Sequence, residues 1–135
     1  MADINPDIFR EYDIRGIYGT ELTEEYVELI GKAYGTLIKR NNGKAVSTGR
    51  DCRLSSPSLS ESLIKGITST GINVINIGIV STPILYFSLF NMEVAGGVML
   101  TASHNPGNYN GLKLSIGKDS LFGKGIQGIL SDGKF

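Results

Sequence analysis

The only histidine of the chain stands in the run Leu100-Thr101-Ala102-Ser103-His104-Asn105-Pro106, and Asn110-Gly111-Leu112-Lys113 follows closely. A hydroxyl, an imidazole and an amine this near to one another point to nucleophilic or phosphoryl chemistry. A serine hydroxyl is a weak nucleophile unless a base or charged surroundings activate it. Adjacency does not make His104 that base, because successive side chains of an extended chain diverge. The sequence has no Gly-x-Ser-x-Gly elbow, which disfavours hydrolases of that kind. A phosphorylated Ser103 fits the local composition better. Its dianion would be met by Lys113, His104, backbone N–H groups and nearby arginines. The residues alone leave a second reading open, in which Ser103 and Asn105 only shape a turn before Pro106.

The elements around this run determine what else reaches it. Val94 to Leu100 is an apolar run of strand length that delivers the backbone to Ser103. Thr23 to Arg40 reads as the clearest helix. Thr23 is the N-cap, Glu24 and Glu25 suit the positive first turn, and Tyr26, Leu29, Ile30, Ala33, Tyr34, Leu37 and Ile38 keep the i, i+3, i+4 spacing. Asn41-Asn42-Gly43 stops it. Lys44 to Gly49 reads as a strand, and Gly49-Arg50-Asp51-Cys52-Arg53 follows. Ser56 then caps a helix with Pro57 in its first position. Ile72 to Val80 is the next strand, and Ser81-Thr82-Pro83 opens a third helix, Ile84 to Phe90. Leu112 to Ile116 alternates like a strand. Gly117 to Gly123 reads as a loop, Gly125 to Leu130 as a short helix weakened by Gly128, and Asp132-Gly133 as a turn. In Phe9 to Gly19 the alternation is not apolar against polar, so that segment reads as a solvated loop with local ion pairs.

Strands alternating with helices imply right-handed crossovers and a mainly parallel sheet, an α/β fold. Strand C-termini then share one edge, where open α/β sheets bind ligands. The expectation is that Arg50-Asp51-Cys52-Arg53, Ser81-Thr82-Pro83 and Thr101 to Pro106 meet there.

Composition narrows the partners. With 135 residues the chain suggests one domain, and 13 basic against 13 acidic residues give a net charge of zero. That balance disfavours nucleic acid. One cysteine, Cys52, supports neither a disulfide framework nor a cysteine-rich metal site. No apolar stretch has the length of a membrane span, and the acidic start is no secretory signal, so the expected setting is cytoplasmic.

Thr101-Ala102-Ser103-His104-Asn105-Pro106 resembles the phosphoserine motif of the α-D-phosphohexomutases, in particular their phosphomannomutase/phosphoglucomutase branch. Three further segments match in the family's order. Phe9-Arg10-Glu11-Tyr12-Asp13-Ile14-Arg15-Gly16 resembles its N-terminal signature. Gly49-Arg50-Asp51 with Arg53-Leu54-Ser55 resembles the segment after its next strand, and Asn110-Gly111-Leu112-Lys113 resembles its Asn-Gly-x-Lys segment. The resemblance implies a three-layer α/β/α domain with a mainly parallel, mixed sheet, the first of four domains, over residues 1–135.

It also implies a mechanism. Phosphorylated Ser103 gives its phosphate to a hexose monophosphate. The bisphosphorylated sugar turns over, and the other phosphate returns to the serine. Arg15 and Lys113 would stabilise charge or assist proton transfer, and His104 would orient sugar or phosphate. Tyr12 and Arg50 would contact substrate, and Asn105 would shape the loop. Mg²⁺ would bind the Ser103 phosphate together with an aspartate loop that this sequence lacks, and a hexose 1,6-bisphosphate would act as activator. The family's second, third and fourth domains have no counterpart here, so the chain alone is expected to be catalytically inert. The alternative is a non-catalytic phosphosugar- or anion-binding module with the same fold.

Overall fold

The computed structural model describes residues 5–10, 13–102, 105–120 and 128. Asn5 caps a short 3-10 turn, Pro6–Ile8, by accepting from the Asp7 N–H. The elements that follow are β1 (Ile14–Ile17), α1 (Glu24–Arg40), β2 (Ala45–Arg50), α2 (Ser56–Thr68), β3 (Asn73–Ile79), α3 (Thr82–Asn91), β4 (Gly96–Leu100), β5 (Tyr109–Ile116) and β6 (Asp119–Ser120). Among the described residues they form one sheet, in the order β1-β5-β4-β2-β3, with β6 paired to β5.

Strands β2, β3 and β4 pair in parallel, whereas β5 pairs antiparallel with β1, β4 and β6. Two reversals restore direction, so β1 and β6 run with β2, β3 and β4. Only β5 runs against the rest, and the sheet is mixed but mainly parallel in strand direction, as expected.

Three layers follow from which way the strands face. Val46, Val98, Leu100, Leu112 and Leu114 join Ile30, Tyr34, Leu59, Leu63 and Ile67 of α1 and α2 in one apolar core. On the other face, Ser47 Oγ meets Ser88 Oγ of α3 at 2.8 Å. Leu85 and Leu89 of α3 are also buried, while its Ile84, Phe87 and Phe90 stand exposed. The Tyr34 hydroxyl crosses the core to donate to the carbonyl oxygen of Ser115 at 2.6 Å, and burial pushes its phenol far above the ordinary tyrosine range.

Helix α1 begins as its sequence suggests, with Thr23 Oγ1 accepting from the Tyr26 N–H at 3.2 Å. Other expectations change. The segment expected to be a solvated loop contains β1, whose backbone pairs with β5 from Ile14↔Leu112 to Ile17↔Tyr109. The expected local ion pair is present, between Arg15 and Asp13, but Asp13 is nearly buried, which apolar alternation does not detect. Ser55, not Ser56, stands at the N-cap of α2, and Ser56 is already its first residue. The Ser56 hydroxyl donates to Asp51 Oδ1 at 2.5 Å while its oxygen accepts from the Asn110 amide at 3.0 Å, so it is engaged with neighbouring side chains. Part of the expected loop after Gly117 is β6. The helix expected over Gly125 to Leu130 lies outside the described residues except for Gly128, and the terminal turn lies wholly outside them.

Helices α1 and α2 cross at close range. A Cβ on Gly66 would stand 2.1 Å from the Glu28 carbonyl oxygen. Alanine gains about 1 kcal/mol in helix propensity over glycine, whereas overpacking costs about 1–3 kcal/mol and sometimes more. The obstacle here is backbone, so packing wins. Gly66→Ala is expected to lose about 2 kcal/mol net in urea unfolding. A gain in stability would refute the close approach.

Candidate active site

The sheet aligns three strand ends. Arg50 pairs with both Ile79 and Leu100 in register, and beyond it the Asp51 N–H donates to Leu100 O at 3.1 Å and the Val80 N–H to Arg50 O at 3.0 Å. The loops expected to share an edge therefore leave the sheet side by side. Strand β1 takes the edge of β5 opposite β4, because Leu112 of β5 pairs with Leu100 on one side and Ile14 on the other.

The return from β4 into β5 requires glycine at position 111. A Cβ there would approach the carbonyl oxygens of Ile14 at 2.4 Å and Thr101 at 3.0 Å. Asn110 is fully buried, and its amide donates to Ser55 Oγ at 2.8 Å and Ser56 Oγ at 3.0 Å. The Asn-Gly pair thus joins the start of β5 to the N-terminus of α2.

Arg53 reaches the loop before β5 from the other strand end. Its Nη1 donates to Pro106 O at 2.7 Å and Tyr109 O at 3.2 Å, and Nη2 donates to Asn105 O at 2.8 Å. Asp51 aims it: Oδ1 accepts from the Arg53 N–H and Oδ2 from Nε, both at 3.1 Å.

Arg15 approaches the same loop from β1. It donates from Nε to Asp13 Oδ2 at 3.1 Å and also pairs with Asp13 through Nη2. Asp13 is nearly buried, so the pair is held out of bulk water. The Asn105 amide satisfies its neighbours with its oxygen toward Arg15, accepting from Nη1 at 2.7 Å and Nε at 3.3 Å. Paired strand residues share a face. Arg15 lies opposite Gly111, and Lys113 follows two residues later, so Arg15 and Lys113 share the face away from α1 and α2. Lys113 is half-buried, opposite Met99.

The structure thus brings Arg15, Asn105 and Lys113 to one side of the sheet edge. Arg50 shares its face with Leu100, on the α2 side, and lines a cavity with Pro57, Ser60, Ile64 and Asn76. Tyr12, Ser103 and His104 lie outside the described residues. Asp13, Asp51, Arg53 and Asn110 were not selected as site residues by sequence reasoning. The spacing of Asp51 and Arg53 in Gly-Arg-Asp-Cys-Arg was the available signal, since an aspartate favours a turn that folds back onto the residue two positions on. Among the described residues, no group of three His, Cys, Asp or Glu side chains is arranged to hold a metal, and no helix is long and apolar enough to cross a membrane.

A cavity of about 220 Å³ beside the loop is lined by Tyr18, Leu54, Ser55, Ser58, Gly107 and Asn108. At its rim the Tyr18 hydroxyl donates to Glu24 Oε2 at 2.5 Å and Ser58 Oγ donates to the same oxygen at 2.7 Å. The bond to Tyr18 is the main reason the Glu24 carboxyl lies below its ordinary range, and the same bond to Glu24 raises the Tyr18 phenol. The stabilisation from ionised Glu24 is present above the ordinary carboxylate range and is lost as pH falls through its lowered value. That from the protonated phenol is present below the ordinary tyrosine range and is lost as pH rises through its raised value. Carboxyl NMR should therefore find the Glu24 midpoint moving upward in Tyr18→Phe. An unchanged midpoint would exclude this hydrogen bond as the cause.

A model of "Phosphoglucomutase/phosphomannomutase, alpha/beta/alpha domain I" matches residues 6–128. The chain is 50% identical over 131 residues to a phosphoglucomutase of Neisseria meningitidis serogroup B, covering 97% of this chain and 28% of that protein. It is 47% identical over 130 residues to a phosphomannomutase/phosphoglucomutase of Pseudomonas putida, covering 96% of this chain and 28% of that one. A crystal structure of a phosphoglucomutase/phosphomannomutase family protein from Burkholderia thailandensis superposes with a TM-score of 0.94 at 34% identity, over 98% of this chain and 31% of that one.

Proposed function

The chain belongs to the phosphoglucomutase/phosphomannomutase family through its alpha/beta/alpha domain I, and on that premise we propose that residues 1–135 are the catalytic-serine domain of a phosphohexomutase. The relatives are mutases of which this chain spans about 28% of the length. The observation that supports the reading is at Asn105, which follows Thr101-Ala102-Ser103-His104 in sequence: Arg15 donates to its amide oxygen, and Lys113 shares the Arg15 face of the sheet.

In this reading Ser103 carries the phosphoryl group. The bond from phosphorus to Ser103 Oγ breaks as one to a hydroxyl oxygen of a hexose monophosphate forms, and the proton of that hydroxyl passes in net to Ser103 Oγ. The bisphosphorylated sugar turns, and its other phosphate returns to Ser103. Phosphoryl transfer of this kind depends on positioning and on neutralising charge. Arg15 suits the second task. A guanidinium bound to a nearly buried carboxylate and an amide oxygen stays cationic, so it stabilises charge and does not act as a base. Lys113 adds a second cation on that face. His104 orients sugar or phosphate, and Tyr12 contacts substrate. Arg50, on the α2 side, would meet substrate only at the margin of this edge. Mg²⁺ belongs to the proposal through the Ser103 phosphate. The described side chains do not make up the rest of a ligand set for it, and no step is assigned to it. The remaining sugar and metal contacts would come from family domains beyond the portion matched here, in a cytoplasmic enzyme.

Incubating the chain with glucose 1,6-bisphosphate and Mg²⁺ should add one phosphoryl group by intact mass, and Ser103→Ala should abolish the gain. A coupled assay should detect no interconversion of hexose 1- and 6-phosphates by the chain alone, and measurable turnover would overturn the incomplete-site reading. Binding of hexose phosphate without mass gain would favour a non-catalytic phosphosugar-binding module.

A further inference from the structure

Arg53 is the arginine that reaches furthest into the loop, yet its bonds leave it little capacity for a ligand. A guanidinium has five N–H groups in a fixed plane. Four of the Arg53 side-chain donations go to Asp51 Oδ2 and to the carbonyl oxygens of Asn105, Pro106 and Tyr109. Among the described residues, the backbone bonds of the loop it grips include Asn105 N–H to Ala102 O at 3.1 Å and Tyr109 N–H to Pro106 O at 2.9 Å. A ring of bonds closes behind it. Asp51 fixes Arg53 and accepts from Ser56, Ser56 accepts from Asn110, and Asn110 is the second residue of the strand into which the loop runs.

We propose that Arg53, aimed by Asp51, is a positioning residue that sets the backbone of residues 105–109 and does not bind substrate phosphate. The proposal rests on the phosphohexomutase reading only for its effect on rate, since the clamp itself is a property of the unphosphorylated chain. Lysine keeps the charge but cannot span three carbonyl oxygens in one plane, so the conservative substitution should not restore the function.

The test combines two measurements on Arg53→Lys and Arg53→Ala. In hydrogen exchange, peptides covering 105–110 should exchange at least about tenfold faster in both variants, while those from α1 keep their protection. In phosphorylation by glucose 1,6-bisphosphate, the maximal rate should fall about tenfold or more with the half-saturating concentration within about twofold of the parent. Millimolar guanidinium ion should partly restore the rate of Arg53→Ala. Unchanged exchange at 105–110 would overturn the clamp. A raised half-saturating concentration with an intact maximal rate would overturn it in favour of a phosphate ligand. Should either variant lose protection throughout, the same comparison on Asp51→Asn, which frees the guanidinium without removing it, decides. A parent chain that takes up no phosphate would exclude phosphate transfer by the chain alone and leave the exchange result to judge the clamp.

Discussion

The reversal of β5 is the constraint on which the rest of this structure depends. In a wholly parallel sheet the chain leaving β4 would pass into a crossover helix and carry its residues away from the edge. Here it comes straight back beside β4, with Leu100 opposite Leu112 and Gly97 opposite Ser115. The segment after Leu100 is therefore held at both ends by adjacent strands. Lys113 of β5 lies opposite Met99, one residue before Leu100. The same reversal leaves the other edge of β5 open, and β1 takes it, placing Arg15 opposite Gly111. One change of direction thus gathers residues that the sequence separates by almost a hundred positions.

That gathering has a cost in unsatisfied polar groups. A return longer than a tight hairpin exposes carbonyl oxygens that neither helix nor strand can satisfy, and buried ones must find partners. The structure meets the need with side chains from α2 and the end of β2. Arg53 takes three carbonyls, Asn110 is anchored by Ser55 and Ser56, and Asp51 joins the two sets. Ser56 helps to explain why this network is in place. Its hydroxyl donates to Asp51 while its oxygen accepts from Asn110, so one side chain links the two sets.

Elements carried by apolar periodicity were legible in the sequence. The helix from Glu24 to Arg40 and the strand ending at Leu100 coincide with α1 and β4 at their functional ends. The edge shared by the loops was legible too, since it follows from strand–helix alternation and handedness. Strand β1 was not, because its signal is polar. Asp13 and Arg15 are compatible with a strand only once each has the other, and Arg15 also has Asn105, ninety residues away. Periodicity reads burial against water and cannot register burial against a distant amide. For the same reason the sequence singles out Arg50 as a substrate contact and passes over Arg53. The pairing of Arg50 with Leu100 turns it toward α2, whereas the turn closed by Asp51 brings Arg53 to the loop.

The two arginines at the loop then divide the work by what each leaves unspent. The Arg53 guanidinium is largely occupied by the loop's own backbone and by Asp51. Arg15 spends its donors on side chains, a carboxylate and an amide, and its side chain remains about one quarter exposed. Charge on a partly exposed guanidinium still acts on a neighbouring anion, and its carboxylate partner fixes its direction without removing that field. Asp13 therefore orients a cation that faces the loop, while Asp51 orients one that holds it. Each acid also tempers the positive potential around its arginine, which lets two guanidinium groups stand beside one short loop in a chain of zero net charge.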